Sequence, residues 1–162
     1  MQVENSKLNI ALVHPQIGPN AGNIGRLCLG VDAALHLVHP LGFSTSDKAV
    51  RRAGLDYWKH VNCTEHPDLE HFLDWCQGRR VFGFSARQGT IWTREQFQPG
   101  DVLVFGCESG GLPEELLARW SILRIPITDR VRSLNLSNAV AVAAYGALMQ
   151  MEGGPFRGGI DG

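Results

Sequence analysis

Apolar positions along this chain gather into short unbroken runs, separated by polar, glycine-rich stretches and by segments with helical spacing. Leu8–Val13 reads LNIALV, a run of β formers closed by His14 and Pro15, which is the pattern of a strand covered on both faces. Residues 35–39, stopped by Pro40, residues 80–84 and Asp101–Phe105 repeat that pattern. Residues 123–127 predict a last strand, and a weaker one is expected at 59–61.

Helical segments lie between the strands. A turn-rich stretch over 18–23 is followed by helical spacing through Arg26, Leu27 and Leu29. Asp47 is placed to cap a short basic helix over 47–52 that ends at Gly54, an acceptor before the first turn and a glycine after the last. Leu69, Phe72, Leu73 and Cys76 mark a helix within 67–76, and residues 113–120 predict another with proline in its first turn. Residues 135–151 form the longest helical segment, Ala-rich and apolar on most sides, so it must pack deeply or against another subunit. Strands alternating with helices predict an α/β fold, a mostly parallel sheet flanked by helices. Neither a repeat nor a linker interrupts the chain, so residues 1–162 are expected to form a single domain, with 1–7 and 153–162 as flexible tails.

Composition narrows the class. The chain has 162 residues, 44% of them apolar and 19% charged, which excludes a disordered polymer. No apolar run approaches the about 20 residues of a membrane span. The formal net charge of −1 argues against gripping nucleic acid by bulk attraction. Yet 12 of the 15 cations are arginine, the residue suited to bidentate phosphate contacts. Cys28, Cys63, Cys76 and Cys107 form no C-x-x-C pair, and the first residues, MQVENSK, carry no apolar signal core. A reduced, cytoplasmic chain with neither zinc nor a disulfide frame is expected. His36 and His39 bracket an apolar run and are expected as ordinary strand-edge histidines rather than metal ligands.

Ligands of parallel sheets sit beyond the carboxyl ends of the strands. There the chain places four polar, glycine-rich loops, over 20–26, 85–89, 106–113 and 128–138. Neither a dinucleotide fingerprint nor a P-loop occurs in them. Cys107 follows a strand with Glu108 beside it; a pocket-lining role is expected in preference to that of an activated thiol.

Three of these loops carry a resemblance. Asn20-x-Gly22-Asn23-Ile24-x-Arg26, Phe105-Gly106-x-Glu108-Ser109-x-Gly111-Leu112-Pro113, and Arg124-Ile125-Pro126-Ile127 followed by Arg132-Ser133-Leu134-Asn135-Leu136-Ser137-Asn138-Ala139-Val140 resemble the three motifs of the SPOUT RNA ribose methyltransferases. Pro40-Leu41-Gly42-Phe43 and Arg51-Arg52-Ala53-Gly54-Leu55-Asp56-Tyr57 are similar to the minimal branch that methylates the wobble nucleotide of tRNA. The match runs from about residue 8 to residue 150, and the motifs come in the family's order.

The resemblance implies a C-terminal trefoil knot holding S-adenosylmethionine, a homodimer with its site at the subunit contact, tRNA as substrate, and no metal. Phe84, Gly106, Ile125 and Ser133 match the family's cofactor positions, with Glu108, Gly111, Ile127 and Leu134 beside them. Phe84 and Ile125 would serve equally as strand core. Arg26, with Asn20 before it, matches the residue placed at the target ribose. A guanidinium stays charged, with a pKa above about 12, so Arg26 is expected to orient the 2′-oxygen and its phosphate; the proton acceptor stays open. The plainer alternative is a helix-face arginine paired with an acid. Ser133 and Asn135 match polar positions next to the transferred methyl, and would also serve to cap a helix. Arg51, Arg52 and Tyr57, joined by Arg130, Arg132 and Tyr145, are the expected RNA contacts. A solvated face at 51–57 and a buried helix tyrosine at 145 are the alternatives.

Two positions depart from the family pattern. Cys107 stands where proline or another small residue is usual, and Gly146 where glutamate commonly follows the tyrosine. The competing functions are methylation of another tRNA or rRNA site and a non-catalytic cofactor- or RNA-binding module.

Overall fold

A computed structural model describes residues 6–46 and 56–151. The expected basic helix over 47–52, with Arg51 and Arg52, lies outside the described residues, as do residues 1–5 of the first expected tail and all of the second, 153–162. In chain order the elements are β1 (Leu8–Val13), α1 (Gly18–Val31), β2 (Ala34–Val38), β3 (Cys63–His66), α2 (Leu69–Cys76), β4 (Val81–Phe84), β5 (Thr90–Ile91), β6 (Asp101–Phe105), α3 (Glu114–Leu117), β7 (Ser121–Arg124) and α4 (Leu136–Met149). The strands form one sheet in the order β3-β2-β1-β6-β4-β7-β5, and every described pairing is parallel.

The period of two along β1 divides the core. Leu8, Ile10 and Leu12 join Leu35, Leu37, Leu103 and Phe105 on the face covered by α1 and α4. Ala11 and Val13 join Val38, Val102 and Val104 on the opposite face, under Phe72 of α2 and Leu116 of α3. β6 lies between β1 and β4. The chain therefore leaves β1 toward one side of the sheet and leaves β6 toward the other, opening a crevice at their carboxyl ends.

Four sequence expectations are corrected. Residues 18–23 are the start of α1 rather than a turn. The strand expected at 59–61 is a 3-10 turn, Trp58–His60, and the sheet strand follows at Cys63–His66. The last strand ends at Arg124, so Ile125 and Ile127 lie beyond it. The helix expected over 113–120 is only Glu114–Leu117, with Pro113 at its N-cap.

His36 corrects a fifth, because it is fully buried rather than at a strand edge. Asn9 donates its amide to the Gly100 carbonyl at 3.2 Å, which turns its side-chain oxygen toward His36 Nε2 at 3.2 Å. His36 Nε2–H therefore donates to Asn9, and its Nδ1 accepts from His66 Nε2–H at 3.0 Å. Burial, then the neighbouring His66 and Arg79, push the His36 pKa down to about 3. Burial likewise lowers that of His66. With the folded pKa below the unfolded value, the unfolded chain binds more protons, so stability falls as pH drops below about 6.5. His36 alone should account for about 2 kcal/mol between pH 7.5 and 5, read from urea midpoints. His36→Gln, which does not titrate, should remove most of that slope.

Gly146 acquires a physical reason in the fold. A Cβ there would lie 1.8 Å from Cζ3 and Cη2 of Trp92, whose ring is seated on α4. Gly146→Ala should lose stability by overpacking, about 1–3 kcal/mol, against a helix-propensity gain of about 1 kcal/mol. In a Trp92→Ala background the same substitution should gain stability in chemical denaturation.

Candidate active site

The crevice holds a cavity of about 980 Å³ at the carboxyl ends of β1, β4, β6 and β7. Its apolar wall includes Phe84, Phe105, Leu112, Ile125, Ile127, Leu134 and Leu136. Phe84 is both core and wall: it is buried and stacks on Phe105 with ring centroids 4.7 Å apart. Ile125 and Ile127 line the cavity from the segment after β7, and Ile125 also packs against the core, although neither belongs to the strand.

The loop after β6 closes on itself. Gly111 N–H donates to the Cys107 carbonyl at 2.9 Å. A Cβ on Gly106 would stand 2.0 Å from the Gly111 carbonyl carbon and 2.2 Å from the Leu112 nitrogen. Both clashes are with backbone, so no rotamer relieves them, and only glycine fits. Cys107 is half-buried on the wall, with Sγ 3.8 Å from the Gly111 carbonyl oxygen. No histidine lines the cavity among the described residues.

Glu108 links this loop to α1. Its carboxylate accepts from the backbone N–H of Gln16 at 2.9 Å and of Ile17 at 2.5 Å, and from the Asn20 amide at 3.5 Å. Ile17 is the N-cap of α1 and offers no side-chain acceptor. The negative charge of Glu108 therefore complements the positive end of a helix that precedes it by some ninety residues in sequence. Gln16 returns the contact, its side-chain oxygen accepting from Ser109 N–H at 3.1 Å.

Asn20, buried in the first turn of α1, continues the chain of contacts. Its oxygen accepts from Asn135 Nδ2 at 3.1 Å. Asn135 is the N-cap of α4, and its own oxygen accepts from Ser137 and Asn138 N–H. Capping and placement at the cavity thus coexist in one side chain. Ser133, Leu134 and Arg132 lie on the wall just before it.

The geometry brings Asn20, Phe84, Gly106, Glu108, Gly111, Ile125, Ile127, Arg132, Ser133, Leu134 and Asn135 together around one cavity. Arg26, Tyr57, Arg130 and Tyr145 are outside the lining. Arg26 is exposed on α1, with Cζ 5.9 Å from the centre of the Tyr57 ring. Tyr145 is 40% exposed on α4, which corrects the buried alternative. Arg87 and Gln88 line the cavity from the loop over 85–89, which is expected at this end of the sheet from its place after a buried strand, although neither residue belongs to a motif that assigns it a role. Among the described residues, no cluster of three His, Cys, Asp or Glu is placed to hold a metal, and no helix is long and apolar enough to cross a membrane.

Comparison with known proteins follows the same segments. The pattern of the SpoU rRNA Methylase family matches residues 7–145. The tRNA (cytidine(34)-2′-O)-methyltransferase of Aeromonas hydrophila is 44% identical over 147 residues, covering 89% of this chain and 94% of the relative. The enzyme of the same name from Escherichia coli is 42% identical with the same coverage. A structure solved for insight into the 2-OH methylation of C/U34 on tRNA is 48% identical, with a TM-score of 0.85, covering 90% of this chain and 97% of its own.

Proposed function

Because the chain belongs to the SpoU methylase family, we propose that it methylates the ribose 2′-hydroxyl of the wobble nucleotide, C or U, of tRNA, using S-adenosylmethionine. The observation that carries this reading is the single cavity in which three separated motif segments meet, in a chain more than 40% identical to relatives named for that reaction. A SpoU methyltransferase from Streptomyces viridochromogenes, which shares the fold at 21% identity and a TM-score of 0.77, was solved in complex with the cofactor AdoMet. The cavity fits it: apolar walls suit an adenine, and the loop closed at Gly106 brings main-chain donors and acceptors to its edge. Phe84, Gly106, Gly111, Ile125, Ile127, Ser133 and Leu134 would hold it, with Glu108 fixing the loop beside it. When bound, it supplies an electrophilic methyl group on a sulfonium.

The chain's own residues supply placement. Asn20 and Asn135 lock the start of α1 to the start of α4, which holds Ser133 and Leu134 at the cavity. Arg26, charged at neutral pH, orients the 2′-oxygen and its phosphate rather than taking the proton. On α1 it follows Asn20 by six residues, about 9 Å along the axis and on a different face. A single chain thus presents Arg26 away from its own cavity, which supports a homodimer in which the site forms at the subunit contact. Leu29 on α1 and Val142, Tyr145 and Met149 on α4 are exposed apolar residues on adjacent helices, the surface such a contact would cover.

The same reading takes residues 1–162 as one cytoplasmic methyltransferase domain with a C-terminal trefoil knot. Arg130, Arg132 and Tyr145 are its proposed tRNA contacts, with Arg51 and Arg52 outside the described residues. The test is methyl transfer from labelled S-adenosylmethionine to a tRNA transcript. Transfer should be lost when the wobble nucleotide is 2′-deoxy; persistence on that substrate would refute the reading.

A further inference from the structure

Tyr57 makes two contacts with α1. Its hydroxyl donates to the Gly22 carbonyl at 3.3 Å, and its ring lies under the Arg26 guanidinium, 5.9 Å from Cζ to the ring centre. The next residue, Trp58, packs against α1 at Gly25, where a Cβ would stand 2.5 Å from its ring. The turn through residues 56–61 is therefore docked on α1 at Gly22, Gly25 and Arg26.

These contacts do not suit a residue reserved for stacking on RNA. The hydroxyl is already committed to a backbone carbonyl, and the ring is engaged by a cation. Burial raises the hydroxyl's pKa above its ordinary value, with Arg26 opposing. The group remains an O–H donor at neutral pH, so it does not act as a base toward Arg26.

We propose that Tyr57 is a positioning residue for Arg26, holding its guanidinium over the ring at one place on the surface of α1. A long arginine side chain otherwise samples many rotamers, and a restraint that selects one raises the fraction of encounters in which the ribose is oriented. The inference rests on the proposed methyltransfer reading and on the role of Arg26 within it.

The test is a double-mutant cycle on single-turnover methyl transfer, with tRNA Kd measured for each variant. Wild-type turnover, measured first, judges the methyltransferase reading separately. Tyr57→Leu should slow transfer by about tenfold, the scale of one partly buried cation–π contact, with tRNA Kd changed by less than about threefold. Tyr57→Phe, which keeps the ring, should recover most of the rate. In an Arg26→Ala background, Tyr57→Leu should cost nothing further. Two results would overturn the inference: the same loss in the Arg26→Ala background, or weakened tRNA binding with an unchanged rate, which is the signature of base stacking.

Discussion

Gly106→Ala is expected to abolish cofactor binding while leaving the sheet folded. The added Cβ would meet the Gly111 carbonyl carbon at 2.0 Å, its oxygen at 2.3 Å and the Leu112 nitrogen at 2.2 Å. Three backbone atoms cannot move aside without opening the loop after β6. Opening it also displaces Glu108, whose carboxylate caps α1, and Leu112, which lines the cavity. Affinity for S-adenosylmethionine should fall by at least about 100-fold by calorimetry, with the far-UV circular dichroism retained, since β1, β2 and their core lie outside the loop. An affinity within about threefold of wild type would contradict the fit of the cavity to the cofactor.

Arg26→Ala should separate chemistry from binding. Arg26 is exposed, touches Tyr57, and is absent from the cavity lining. Its loss should leave cofactor affinity unchanged and reduce methyl transfer by about 10²–10³-fold, the scale of removing one group that acts on the reacting oxygen. Arg26→Lys keeps the charge but not the planar fork, so it should restore only part of the rate. Full turnover in Arg26→Ala would remove this residue from the catalytic account. Loss of cofactor binding would instead assign it to the cavity.

Elements whose signals are local were legible in the sequence. β1 and β6 are apolar except for Asn9 and Asp101, and α2 carries its helical spacing at Leu69, Phe72, Leu73 and Cys76. The first turn of α1 was not legible, because its charged cap is Glu108, distant in sequence, and the local residues Gly18 and Pro19 read as a turn. Apolar Ile125 and Ile127 carry the strand pattern past Arg124, but both line the cavity, and Ile125 packs on the core from outside the strand. A ligand wall and a strand core share one composition. Trp58–His60 looked extended but turns where Trp58 docks on α1, and β5 is too short, at two residues, to show a period.

The site divides in the same way. Motif spacing identified the loops that meet at the cavity, since each follows a strand of one parallel sheet. It did not reveal that Glu108 is committed to the backbone of α1, or that Arg26 stands outside the lining of its own chain's cavity. Both facts depend on contacts between segments far apart in sequence. The near-zero net charge likewise described the bulk of the chain, whereas Arg132 at the cavity is a matter of placement.

The proposed reaction of this chain is methylation of the ribose of the wobble nucleotide of tRNA. Nucleoside mass spectrometry of tRNA from cells with and without the chain, with the modified position mapped by nuclease fragments, tests it most directly. A 2′-O-methyl group on C or U at the first anticodon position, present only when the chain is present, is the predicted result. Unchanged methylation at that position, or a dependent methyl group mapped to another site, would contradict it.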